Sequence, residues 1–149
     1  MSDLLASDLR TLADGLLALA LGGVVGWERE RKGKGAGFRT MMLVSFASFL
    51  FVEVSMFVGA SGPTGEVVQA DPTRAIQAIA AGLGFLGGGL VFRDASQERT
   101  RGLTTAASLL VVSPVGIAVA LGHYALAVGA AVLLVLVLGA AERFERLAR

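Results

Sequence analysis

Between residues 102 and 141 the chain carries no formal charge. As one α-helix that run would be about 60 Å long, twice the roughly 30 Å thickness of bilayer hydrocarbon. A single straight span is excluded, so the run must reverse. Gly122-His123-Tyr124 is the natural place, a glycine followed by two polar rings that favour the membrane interface. The division predicts spans over residues 103–121 and 125–141. Pro114 falls inside the first and is expected to kink or locally unwind it.

Three earlier segments are also long and apolar enough to cross. Residues 11–27 are interrupted by Asp14 alone and stop at Glu28-Arg29-Glu30-Arg31-Lys32; residues 38–60 contain one acid, Glu53. Residues 75–92 are uncharged and follow Asp71-Pro72-Thr73, where Asp71 or Thr73 caps a helix and Pro72 suits its first turn. A hydrophobic content of 54% and a mean hydropathy of +0.71 agree with a membrane protein. The sequence therefore predicts an all-α fold: a polytopic transmembrane bundle of five spans, one domain over residues 1–149. The N-terminal stretch carries Asp3 and Asp8 but no base before Arg10. It lacks the positive region of a cleaved signal peptide, so the first span is expected to be retained.

Charge placement supplies an independent test of an odd number of crossings. Five spans put Arg29, Arg31, Lys32, Lys34, Arg39, Arg93, Arg99, Arg101, Arg143, Arg146 and Arg149 on one side, leaving only Arg10 and Arg74 opposite. Short loops rich in Lys and Arg stay cytoplasmic, which predicts an external N-terminus and a cytoplasmic C-terminus. The net charge of +1 says almost nothing, because 13 basic and 12 acidic groups nearly cancel, and a nucleic-acid partner is not indicated. Without cysteine there is no disulfide, thiolate metal site or cysteine nucleophile.

Helix association in lipid relies on small residues and interhelical hydrogen bonds. Gly15, Ala18, Gly22 and Gly26 recur at helical spacing on the first span, Gly84 and Gly88 on the third beside Gly82, Gly87 and Gly89, and Ala125 and Gly129 on the fifth. Such faces suit neighbouring helices of the same bundle or a homo-oligomeric interface.

Three ordered blocks carry a family resemblance. Gly22-Gly23-Val24-Val25-Gly26-Trp27-Glu28-Arg29-Glu30-Arg31, continuing through Lys34-Gly35-Ala36-Gly37-Phe38-Arg39-Thr40, resembles the glycine-rich helix end and Ala-Gly-x-Arg-Thr signature of the MgtC/SapB family. Asp71-Pro72-Thr73-Arg74 with Gly82-Leu83-Gly84-Phe85-Leu86-Gly87-Gly88-Gly89 is similar to its second block, and Arg101-Gly102-Leu103-Thr104-Thr105-Ala106-Ala107-Ser108 to its third. The resemblance implies a multi-pass protein of the bacterial inner membrane linked to magnesium homeostasis and, in some relatives, to virulence and to regulation of the F-type ATP synthase. The chain looks like a short form without the C-terminal cytoplasmic domain of some members. Asp14 and Glu53 stand outside the family blocks, and Val112-Ser113-Pro114-Val115 departs from the usual continuation of the third.

Two groups of residues are candidate sites. Glu28, Arg29, Glu30, Arg31, Arg39, Arg93 and Arg101 converge at the predicted cytoplasmic mouth, with Thr40 beside Arg39 and with Thr104, Thr105 and Ser108 opening the fourth helix. Alternating charges there suit partly desolvated ion pairs, either as topology anchors or as a ligand, ion or partner site. Asp14 and Glu53 both fall about 20 Å from that boundary. A carboxylate in hydrocarbon costs about 2.5–3.5 kcal/mol at the centre, so it faces a partner, cavity or pathway. The pair would hold a hydrated Mg²⁺ or share a proton, or would be solvated by water or Arg74, with Asp71 nearby in the outer half.

Other signals fail. Gly33-Lys34-Gly35-Ala36-Gly37 lacks the Gly-Lys-Ser/Thr ending and preceding strand of a phosphate loop. The one histidine, His123, sits at a turn, and no nucleophile with base and orienter can be assembled, so no enzymatic role and no firm cofactor are expected. The expected role is Mg²⁺ or ion homeostasis, exercised on membrane partners through the charged mouth. The alternative is a small oligomeric transporter with an intramembrane carboxylate site.

Overall fold

The computed structural model describes residues 2–60, 71–94 and 102–147. Five helices account for them: α1 (Ser2–Arg31), α2 (Phe38–Ala60), α3 (Pro72–Asp94), α4 (Leu103–Ala120) and α5 (Tyr124–Leu147). Among the described residues there is no strand, as the hydrocarbon requires of a spanning chain that does not close into a barrel. The first four are long and apolar enough to cross a bilayer, and the apolar part of α5 is the shorter Tyr124–Ala140. The protein is thus a multi-pass helical bundle.

The reversals follow from local backbone chemistry. Gly33, with φ 62°, ends α1: the Gly33 amide donates to the Glu30 carbonyl at 3.0 Å and the Lys34 amide to the Arg29 carbonyl at 3.1 Å. Gly122, with φ 73°, repeats the pattern after α4, its amide donating to Val119 and that of His123 to Ala118. Both are glycine-terminated caps that satisfy the last carbonyls of a helix. The uncharged run divides there because only glycine enters the left-handed region at little cost. At the start of α3, Asp71 rather than Thr73 is the cap, its Oδ1 accepting from the Thr73 amide at 2.9 Å and the Thr73 hydroxyl at 2.6 Å.

At the centre, α4 touches all four other helices. Its Leu109, Val112, Val115 and Val119 join Val25, Met41, Phe49 and Ala131 in the core. The helix stays α-helical through Pro114 instead of unwinding. Proline removes one hydrogen bond, and neighbours packed on several sides of α4 hold the rest of the ladder in place. Polar links reinforce the packing: the Ser45 hydroxyl donates to the Ala18 carbonyl at 2.8 Å, and the Ser48 and Ser113 hydroxyls are hydrogen-bonded at 2.8 Å.

The glycine faces divide sharply. A Cβ on Gly22 would lie 2.6 Å from the Met41 carbonyl oxygen, and one on Gly26 would lie 2.7 Å from the Phe38 Cα, so α1 and α2 are in backbone contact. Gly116 lets α4 reach the Ser45 carbonyl in the same way. On α3 Gly87 packs on Ala106 of α4, whereas among the described residues no neighbour beyond α3's own backbone comes within 4 Å of a Cβ built on Gly84 or Gly88. A groove of 520 Å³ with mainly apolar walls separates α3 from α2, between Leu43, Phe51, Ala78 and Leu86.

Candidate functional site

The arginine-rich end is built around the last turn of α1. Arg29 is only 2% exposed, and its Nη2 donates to the Thr105 Oγ1 at 2.6 Å, joining α1 to α4. A desolvated guanidinium requires such partners, since it cannot discard its charge. One turn along, Lys32 forms an ion pair with Glu28 and donates to the Leu138 carbonyl at 3.3 Å, tying α1 to α5. Glu30 reaches across the loop, its Oε2 accepting from the Phe38 amide at 2.8 Å. Gly37 has no side chain with which to cap α2, and Glu30 supplies that acceptor.

The remaining members divide by exposure. Arg31, Arg39, Thr40 and Thr104 are exposed. Thr105 and Ser108 are buried, and the Ser108 hydroxyl is turned back to the Thr104 carbonyl at 2.6 Å. The Arg93 side chain and the whole of Arg101 lie outside the described residues. The structure therefore brings Arg29 and Thr105 together, uses Glu28 and Glu30 in holding helices, and leaves Arg31 and Arg39 facing outward. Trp27, 60% exposed, meets the Phe38 ring edge to face at 6.2 Å.

Towards the other end of α1 lies the second group. Asp14 Oδ2 accepts from the Tyr124 hydroxyl at 3.1 Å, and Asp14 is within electrostatic reach of Glu53. No cluster of three or more metal-ligating side chains occurs among the described residues. Two carboxylates suffice for a cation that keeps its own water, as Mg²⁺ usually does. Arg74 acts on Asp71. Thr73's side-chain hydrogen bond is the larger influence there and holds the Asp71 carboxyl below its ordinary range, helped by the Thr73 backbone bond.

Sequence reasoning missed Lys32, the Leu138 carbonyl and the Tyr124 hydroxyl as members of these groups. For Lys32 a signal existed, its spacing of four from Glu28 on one helix. Nothing in the sequence marks a backbone carbonyl of α5 or pairs Tyr124 with Asp14.

The family model described as "MgtC family" matches residues 16–147. Protein SrpB of Synechococcus elongatus is 35% identical over 89% of this chain and 75% of its own length. The protein of Escherichia coli K12 named "Putative magnesium transporter YhiD" is 36% identical over 83% of this chain and 56% of its own. Protein MgtC of Brucella abortus is 39% identical over 67% of this chain and 38% of its own. The chain thus spans about half of YhiD and less of that MgtC. No solved structure gives a significant match.

Proposed function

This chain belongs to the MgtC family, and from that premise we propose that it serves Mg²⁺ homeostasis in the bacterial inner membrane by acting on membrane partners through its arginine-rich end. The observation that carries the reading is the division of labour within that end. Arg29 is buried against Thr105 while Arg31 and Arg39 are exposed on the same rigid framework. Outward cations carried on packed helices favour acidic or carbonyl-rich partners. In this reading the end is cytoplasmic, the protein works as a homo-oligomer, and the F-type ATP synthase is one partner to test.

The test is charge reversal. Arg31→Glu with Arg39→Glu should remove growth support at low Mg²⁺ and recovery of cross-linked membrane partners, with the detergent melting curve unchanged. Unaltered growth and cross-linking would overturn the reading.

A second reading, transport of the cation, is favoured by the approach of Asp14, Glu53 and Tyr124 and by the magnesium-transporter designation of YhiD. Liposomes loaded with a Mg²⁺ reporter would then show flux that Glu53→Gln abolishes. Flat traces from the unaltered protein reject it.

A further inference from the structure

A groove of 460 Å³ runs between α1 and α5, lined by Val24, Trp27, Glu28, Arg31, Lys32 and Val135. Its α1 residues recur at steps of three and four, so they form one face of the helix. From Val24 to Arg31 the face rises about 10 Å. Over that distance the α1 side of the groove changes from aliphatic Val24 through the Trp27 ring and Glu28 to two cations, and Val135 lines the α5 side. Lys32 is fixed by Glu28 and the Leu138 carbonyl. Glu28 offsets that one charge. Arg31 is exposed, and among the described residues no hydrogen bond or ion pair engages it.

We propose that this groove binds one anionic phospholipid, its phosphate on Arg31 beside Lys32, its glycerol region against Trp27 and an acyl chain along Val24 and Val135. Guanidinium matches phosphate through two parallel hydrogen bonds. Basic pockets between membrane helices select anionic headgroups, and tryptophan settles at the headgroup level. A free phosphate anion shares the headgroup chemistry but leaves the apolar and aromatic walls unused. A choline headgroup would bring a second cation to Arg31. The proposal rests on the membrane-spanning reading of the bundle and on neither the partner nor the transport role, so those assays can fail while it stands.

Trp27 is the chain's one tryptophan and reports on the groove directly. The full chain is reconstituted in phosphatidylcholine vesicles in which an equal mole fraction of lipid is replaced by phosphatidylglycerol or phosphatidylcholine with acyl chains brominated near the headgroup. Brominated phosphatidylglycerol should quench Trp27 with about a fivefold preference in relative association, the selectivity of one cation near a headgroup. Arg31→Gln should remove most of that preference, and Arg31→Lys, which keeps the charge without the paired hydrogen bonds, should retain part of it. Equal quenching by both lipids overturns the proposal, as does a preference unchanged in Arg31→Gln. Loss of the preference in inorganic phosphate buffer at constant ionic strength would assign the groove to a free anion and overturn it too. Adding Lys32→Gln should abolish the residue of selectivity. If that double variant fails to fold, Arg31→Gln alone decides, because Arg31 is exposed.

Discussion

The two polar groups of this bundle spend charge differently. At the arginine-rich end, Arg29 and Glu30 of α1 bond to α4 and to the first amide of α2, and Lys32, the next residue after α1, bonds to α5. In the acidic group, one long bond from Tyr124 to Asp14 crosses between helices at 3.1 Å. Buried Arg29 cannot discard its charge and bonds to Thr105 of α4, whereas half-buried Asp14 is held by the Tyr124 hydroxyl of α5. Arg29 is thus part of the framework, and Asp14 and Glu53, both half-buried, are less tightly built into it.

Arg29 should be the costliest of these positions to change. Arg29→Ala truncates the largest fully buried side chain among the described residues, leaving a cavity and a stranded Thr105 hydroxyl, and should cost about 2–5 kcal/mol, read as denaturant unfolding in detergent. Wild-type stability would show that the buried tether holds nothing. Thr105→Val leaves a desolvated guanidinium short of one acceptor, so a loss of about 1.5–3 kcal/mol is expected. Thr105→Ser should recover most of it.

Removing the corresponding link at the other group sharpens the contrast. Tyr124→Phe should cost no more than about 1 kcal/mol, in line with interhelical hydrogen bonds in membranes. A cost equal to that of Thr105→Val would erase the distinction between the two groups. The smallest effect concerns Asp71. Its folded carboxyl is held below the ordinary value by Thr73, so the cap's contribution is fully present above the unfolded pKa of about 4 and is lost as pH falls through the lowered folded value. Amide exchange in the first turn of α3, corrected for intrinsic rate, should rise over that acid window, and Asp71→Ala should flatten the response.

Much of the architecture was legible because particular residues leave the backbone little choice. The reversal at Gly122 follows from a run too long for one crossing, and the start of α3 from Asp71-Pro72. The same glycine signal was ambiguous elsewhere: Gly22 and Gly26 face α2 backbone, while among the described residues no neighbouring element packs on Gly84 or Gly88. Spacing places small residues on one face of a helix but says nothing of what lies opposite. The charged run was equally ambiguous. Glu30 reads as one acid in a run of alternating charges suited to ion pairs, yet it caps α2 because the loop folds Phe38 back to it.

By itself the sequence determined that this chain would be helical and would cross a membrane, since hydrocarbon offers the backbone no partners except its own. Helical periodicity added that Arg29 and Arg31, two residues apart and so about 200° around α1, would point in nearly opposite directions. Only the tertiary structure decided which of them turned inward. That choice depends on Thr105 reaching α1 from a helix 76 positions away, and no local preference encodes such a meeting.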